Sequence, residues 1–324
     1  MEQHTHPLLL ELQASSLELF GIEIYSWEPI SLGWLNLKWR LETDQGDFLL
    51  KIYHRNRYSN EDVLVRALQQ QQRVYQSGVP CPELLSHKGV LLHSLCDEKF
   101  IIMRFCSGNI MRSHDINVDQ MFDLGTVTSK IHRILNDTSL GVESSPQFVP
   151  QSRNERLSHW DDVMKEADRD NKTQLLSHLE LHRTLTETMD IESFGKCEAG
   201  WSHRDLWVDN LLFHENKVSS VLDFDRLNYD YPELDVARAI MSWALVDGNL
   251  RIDIVAAFLK GYREYNRFDS GMLVRSLRML WYMESVWWIT ANMELHNKVQ
   301  VRFAEEMTWL AENDERLPMI VGDL

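Results

Sequence analysis

At 324 residues, with 44% apolar and 25% charged side chains, the chain is too long for one ordinary core and too apolar to be disordered. Two lobes are therefore expected. A formal net charge of −16 with no basic run excludes nucleic acid and an anionic membrane as partners, and favours a neutral or cationic small molecule.

Leu8 to Phe20 has helical spacing. Strands follow: Ile22–Ile24 leads in, Leu35, Leu37, Trp39 and Leu41 alternate with polar neighbours, and a turn at Asp44–Asp47 opens the apolar run Phe48–Tyr53, with Lys51 in its middle. Asn60 caps a helix that runs to Gln76 and is ended by Gly78 and Pro80. Phe100 to Phe105 is a buried strand followed by the turn Ser107–Gly108–Asn109. Helices are expected over 118–135, 155–168 and 172–189, then a short strand-rich island over 199–225, then helices from about Glu233 to the end. The chain thus reads as α+β, with a small strand-rich lobe over residues 1–105 and a larger helical lobe over 106–324.

The four cysteines, Cys81, Cys96, Cys106 and Cys197, show no CxxC pair and suit buried thiols in a reducing compartment. The opening MEQHTHPLLLELQ has no basic start and no long apolar core. Met279–Met293, the most apolar stretch, is interrupted by Glu284 and is short for a bilayer. A cytoplasmic protein is the expectation, with its oligomeric state left open.

The chemistry concentrates in Ser202-His203-Arg204-Asp205-Leu206-Trp207-Val208-Asp209-Asn210 and in Val221-Leu222-Asp223-Phe224-Asp225. Asp205 and Asn210 share one tight loop, and Asp223 ends the strand that would pair with Leu211–Phe213. Phosphoryl transfer needs such a set: hard oxygens for Mg²⁺ on a triphosphate, a separate carboxylate for the acceptor hydroxyl, and a cation against the phosphates, for which Lys51 is suited.

His203 to Asn210 matches the kinase catalytic-loop pattern H-R-D-L-x-x-x-N. Together with Asp223 it resembles the aminoglycoside phosphotransferase and choline kinase superfamily, which implies a protein-kinase-like two-lobed fold and an ATP- and Mg²⁺-dependent kinase acting on a hydroxyl of a small molecule. The resemblance makes Asp205 the base, His203 its brace, and Asn210 and Asp223 the Mg²⁺ ligands. It gives Lys51, with Gly33 and Asn36 of the phosphate loop, to the nucleotide, and the Arg104 carbonyl and Cys106 N–H to adenine. Asp235 would support the catalytic loop.

Three positions depart from the family's pattern. Arg204 stands where it has glycine, the phosphate loop has one glycine, and the helix after Lys51 shows Arg66-Ala67-Leu68-Gln69-Gln70 where a glutamate is usual. The partner of Lys51 is therefore open.

The acceptor side falls to Asp225, Glu284 and Trp288. Glu284, alone on the stripe Leu273, Leu277, Leu280, Trp288, Ala291, either meets a cationic acceptor or is a core acid with a protein partner. His132 and Trp160 read as packing residues. About ten residues separate Asp223 from the next helix, too few for a peptide platform, so a small acceptor is expected: amino alcohol, sugar, aminoglycoside or amino acid. The rival reading is a non-catalytic nucleotide-binding or structural protein of the same fold.

Overall fold

A computed structural model describes residues 6–31, 36–54, 60–141, 145–322 and 324. The chain forms two compact units: Met1–Asn109 with Leu212–His214 and Ser219–Leu227, and Ile110–Leu211 with Glu215–Val218 and Asn228–Leu324.

The first unit begins with α1 (Pro7–Phe20), which stops at Gly21 because that residue turns left-handed, φ +70°, and its N–H closes on the Leu17 carbonyl. Next come β1 (Ile24–Pro29), β2 (Leu37–Thr43), β3 (Gly46–Tyr53), α2 (Glu61–Gln76), β4 (His93–Leu95) and β5 (Glu98–Arg104). The strands form one antiparallel sheet in the order β1-β2-β3-β5-β4. Side chains alternate across it. Leu50, Ile52, Phe100 and Ile102 join Leu8 and Leu12 of α1 on one face, whereas Tyr53 and Ile101 join Leu64 and Leu68 of α2 on the other. Lys51, odd-numbered like Tyr53 and opposite Ile101 in register, falls on the α2 face. Asn60 caps α2 as expected, its side chain accepting the Asp62 N–H.

The turn after β5 leads to β6 (Asn109–Ile110). Gly108 has no room for a side chain, since a Cβ there would lie 2.3 Å from Ser219 Oγ and 2.9 Å from Leu212 Cβ.

The second unit is mainly helical: α3 (Val118–Leu135), α4 (Arg153–Arg169), α5 (Thr173–Thr188), α6 (Pro232–Ala244), α7 (Ile252–Tyr262), α8 (Ser270–Trp288), α9 (Lys298–Asn313) and α10 (Leu317–Val321). Short strands punctuate this part of the chain: β7 (Gly200–Ser202), β8 (Leu211–His214), β9 (Lys217–Val221), β10 (Asn228–Asp230), β11 (Leu245–Val246) and β12 (Asn249–Leu250). β10 pairs antiparallel with β7, Tyr229 opposite Trp201. α6 is buried over almost its whole length, and so carries Asp235 and Arg238 into the core of this unit. Helices α3 and α7 cross at Gly125 and Gly261, where a Cβ on Gly125 would stand 2.0 Å from the Phe258 carbonyl oxygen. Among the described residues no helix is long and apolar enough to cross a membrane.

Candidate active site

In the first unit the site is built around Lys51. Its side chain is 2% exposed, and its ammonium binds Asp223 Oδ1 at 2.7 Å and Asp225 Oδ2. Burial alone would lower the lysine's pKa, but the two carboxylates more than reverse this and hold it charged. The carboxylates respond oppositely. Burial works to raise Asp223, yet Lys51 outweighs it and the net shift is downward. Asp225 is pushed upward by its deeper burial, with the charge of Asp223 adding to the effect. Asp223 stands in the left-handed region, φ +63°, a conformation that costs about 1–2 kcal/mol for a residue with a Cβ and turns its carboxylate back toward β3.

Asp225 had been expected toward the acceptor. The structure buries it instead: its side chain is 4% exposed and takes Lys51, the Tyr53 hydroxyl at 2.9 Å and the Asn36 amide at 3.4 Å. Asn36, expected at the phosphate loop, also accepts the His54 N–H. Gly33 lies outside the described residues. At the strand end, the Arg104 guanidinium lies over Phe48 and donates to the Gln45 carbonyl, while half-buried Cys106 has its thiol pKa raised by burial, as suits a packing residue.

The second unit holds the catalytic-loop motif. Asp235 on α6, 2% exposed, anchors it: Oδ2 accepts the His203 N–H at 2.7 Å, and Oδ1 accepts the Arg204 N–H at 2.7 Å. His132 on α3 binds the same carboxylate at 2.9 Å through Nε2 and the Tyr262 hydroxyl at 2.8 Å through Nδ1. It is therefore a tether, not only a packing residue. Trp160 does pack, donating to Thr186 Oγ1.

His203 is fully buried, and its Nδ1 accepts the Asp205 N–H at 3.2 Å. Asp205 is half-buried. Asn210 donates from Nδ2 to both the Asp205 carbonyl, 2.9 Å, and Asp205 Oδ2, 3.0 Å. Both amide protons are thereby used, which leaves Asn210 Oδ1 as an open hard-oxygen donor.

Arg204 is also left-handed, φ +67°, which explains why a glycine suits this place. Its Nε binds Asp230 Oδ2 at 2.7 Å, and it also reaches Gln147 and stacks over Phe148. Farther along, Glu284 is bound by Arg238, which also binds Glu306, and by Trp288 Nε1 at 3.3 Å. Phe303 stacks on Trp288, 4.6 Å away, and meets Trp207 of the catalytic loop in a tilted contact, 4.5 Å away.

Residues 26–268 match the family described as Phosphotransferase enzyme family. The chain belongs to that family. A homoserine kinase of Bartonella tribocorum is 27% identical over 68% of this chain and 65% of its own length, so the match spans just under two thirds of that relative. Among solved structures, an aminoglycoside phosphotransferase from Alicyclobacillus acidocaldarius superposes with a TM-score of 0.68 at 13% identity, covering 99% of this chain and 97% of that one. A spectinomycin phosphotransferase, in complex with ADP and spectinomycin, gives 0.60 at 14% identity, covering 97% and 98%. The likeness to these two is one of fold, and the fold is the protein-kinase-like α+β arrangement expected for phosphotransferases of this family.

Two features of the phosphotransferase site escaped the sequence: the pairing of Lys51 with Asp223 and Asp225, and the tether from His132 to Asp235. The only hint of the first was indirect, a lysine whose helix lacks its usual glutamate, because the two acids lie 172 and 174 positions away. A single histidine in a helix gave none for the second.

Proposed function

We propose that this phosphotransferase is an ATP-dependent kinase that moves the γ-phosphate onto a hydroxyl of a small molecule, working in the cytoplasm. The observation that carries the reading is Lys51, a lysine buried to 2% exposure whose ammonium is bound by Asp223 and Asp225. A buried, charged lysine so placed suits polyphosphate binding, where it offsets phosphate charge in a medium of low dielectric.

The residues present fit Mg²⁺. Asp223 keeps 30% of its side chain exposed with one oxygen on Lys51, Asn210 presents its free Oδ1, and both are the hard oxygens this ion takes. Each is a hard-oxygen donor for such an ion, which would supply positive charge against the phosphates. The remaining roles fall to the protein. Asp205 accepts the acceptor's proton as its oxygen becomes the nucleophile, a contribution of about 10²–10⁴-fold in systems of this kind. Asn210 points the Asp205 carboxylate, and His203 with Asp235 fixes the loop backbone. The Arg104 carbonyl and Cys106 N–H would receive adenine, and the family's pattern gives Gly33 and Asn36 to the phosphates. Trp288 faces the acceptor, with Trp207 and Phe303 extending the aromatic wall, and Glu284, already paired with Arg238, braces that wall.

The homoserine kinases among its relatives make an amino-acid alcohol the first acceptor to try. ADP release is measured across L-homoserine, amino alcohols, sugars and aminoglycosides, with Asp205→Asn as the blank. At least one class should stimulate release in the wild type and not in the blank. Equal release by both proteins would sink the reading.

A further inference from the structure

Helix α2 presents no acid to Lys51. Its carboxylates, Glu61 and Asp62, lie in the exposed first turn, and Glu61 is paired with Lys99 at 3.0 Å. Its buried face is Leu64, Ala67, Leu68, Gln70, Gln71 and Val74. A buried ammonium must nevertheless be compensated.

We propose that Asp225 is a positioning residue that holds Lys51 permanently, in place of an acid from α2, and that Asp223 is the exchangeable partner. The inference builds on the roles given above to Lys51 and Asp223. Exposure separates the two acids, 4% against 30%. So does bonding. Asp225 has Tyr53 on Oδ1 and both Lys51 and Asn36 on Oδ2, whereas the hydrogen bond from Lys51 reaches only Oδ1 of Asp223. Tyr53 lies two residues from Lys51 on the same strand face, so one strand supplies both donors. Helix α2 packs on the turn Phe224–Arg226 and fixes the acid from behind.

A carboxylate with both oxygens bonded by protein stays when a cation arrives, and a half-open one can turn to it. Lys51 then keeps one anionic contact when Asp223 is claimed, and its ammonium is held for the phosphates. A glutamate on α2 becomes dispensable.

The test is a mutant cycle on the protein without nucleotide or metal, read by urea unfolding. Lys51→Met strands a buried carboxylate and should raise the unfolding constant by about 100-fold or more. Adding Asp225→Asn should recover at least half of that loss on a logarithmic scale, and adding Asp223→Asn should recover little. Rescue by Asp223→Asn instead, or additive losses, overturns the proposal. If Lys51→Met does not fold, affinity for Mg²⁺-free ADP decides. Asp225→Asn should weaken it about 10-fold because the lysine loses its anchor, and Asp223→Asn less than 3-fold. The reverse order rejects the proposal. The unfolding cycle uses no substrate, so failure of the kinase reading, seen in the ADP-release assay, leaves it unaffected.

Discussion

Two groups of acids in this chain are held by different forces. In the first unit, Asp223 and Asp225 sit against a buried ammonium, and charge binds the group together. In the second, the Asp205 loop hangs by its backbone N–H groups from Asp235, one position removed from the working side chain. A charge cluster cannot lose one member without stranding another in low dielectric. A loop suspended by its backbone can lose the working side chain at little cost to folding.

The largest expected effect separates these cases most cleanly. Asp205→Asn should lower turnover by about 10²–10⁴-fold while nucleotide affinity stays within about 3-fold. Because asparagine can still accept from Asn210 and the side chain is half-buried, the unfolding free energy from urea titration should change by under about 1 kcal/mol. A large loss of stability would mean that Asp205 is a structural acid like Asp225, and the contrast would fail.

Asp235→Ala reaches the same loop through its support. It removes the acceptor of the buried His203 N–H, of the half-buried Arg204 N–H and of His132 Nε2. At about 1–3 kcal/mol for each buried group left unsatisfied, partly relieved by relaxation, stability should fall by about 3–5 kcal/mol. Turnover should fall as well, and calorimetry with activity on the same samples reads both. Intact stability with lost turnover would place Asp235 in the chemistry itself.

How much of this was legible depended on how far each signal reached along the chain. β2 and β3 were readable because Leu37, Trp39 and Leu41 alternate and Phe48–Tyr53 is an apolar run, and α2 because Asn60 caps it. β10 was not, because Asn228 and Asp230 are turn formers by local preference, and these three residues become a strand only by pairing with β7. β4 is only three residues, none of them buried, and has no room for periodicity. Asp205, Asn210 and Asp223 stood out because their spacing is local. The contact of Lys51 with Asp225 closes 174 positions, and no local pattern encodes it. Burial decided the rest. Asp225 reads as a polar residue near a site until the turn on which it sits is covered by α2, and Glu284, which the sequence left between an acceptor-facing acid and a core acid, is found paired with Arg238.

The smallest effect probes an acid beside the suspended loop that behaves like the charged cluster. Asp230 is 4% exposed in its side chain, and its Oδ1 has no hydrogen-bond partner among the described residues. Burial pushes its carboxyl up to about 6, the charge of Asp235 adds to this, and Arg204 only partly opposes it. A group whose pKa is raised in the folded state favours folding most when it is protonated. Its contribution is fully present below the unfolded value near 4 and is lost as pH rises through about 6. The shift of about 2 units corresponds to about 3 kcal/mol. Asp230→Asn removes this titration, so the stability of wild type relative to the variant should decline by about 2–3 kcal/mol between pH 4 and pH 7 and be level above that. Urea unfolding at half-unit pH steps measures the difference directly, and groups that titrate alike in both proteins cancel. A difference that rises with pH would mean that Arg204 dominates over burial. The acid would then belong with Asp223, held low by a cation, and Arg204 would be the loop's own counterpart to Lys51.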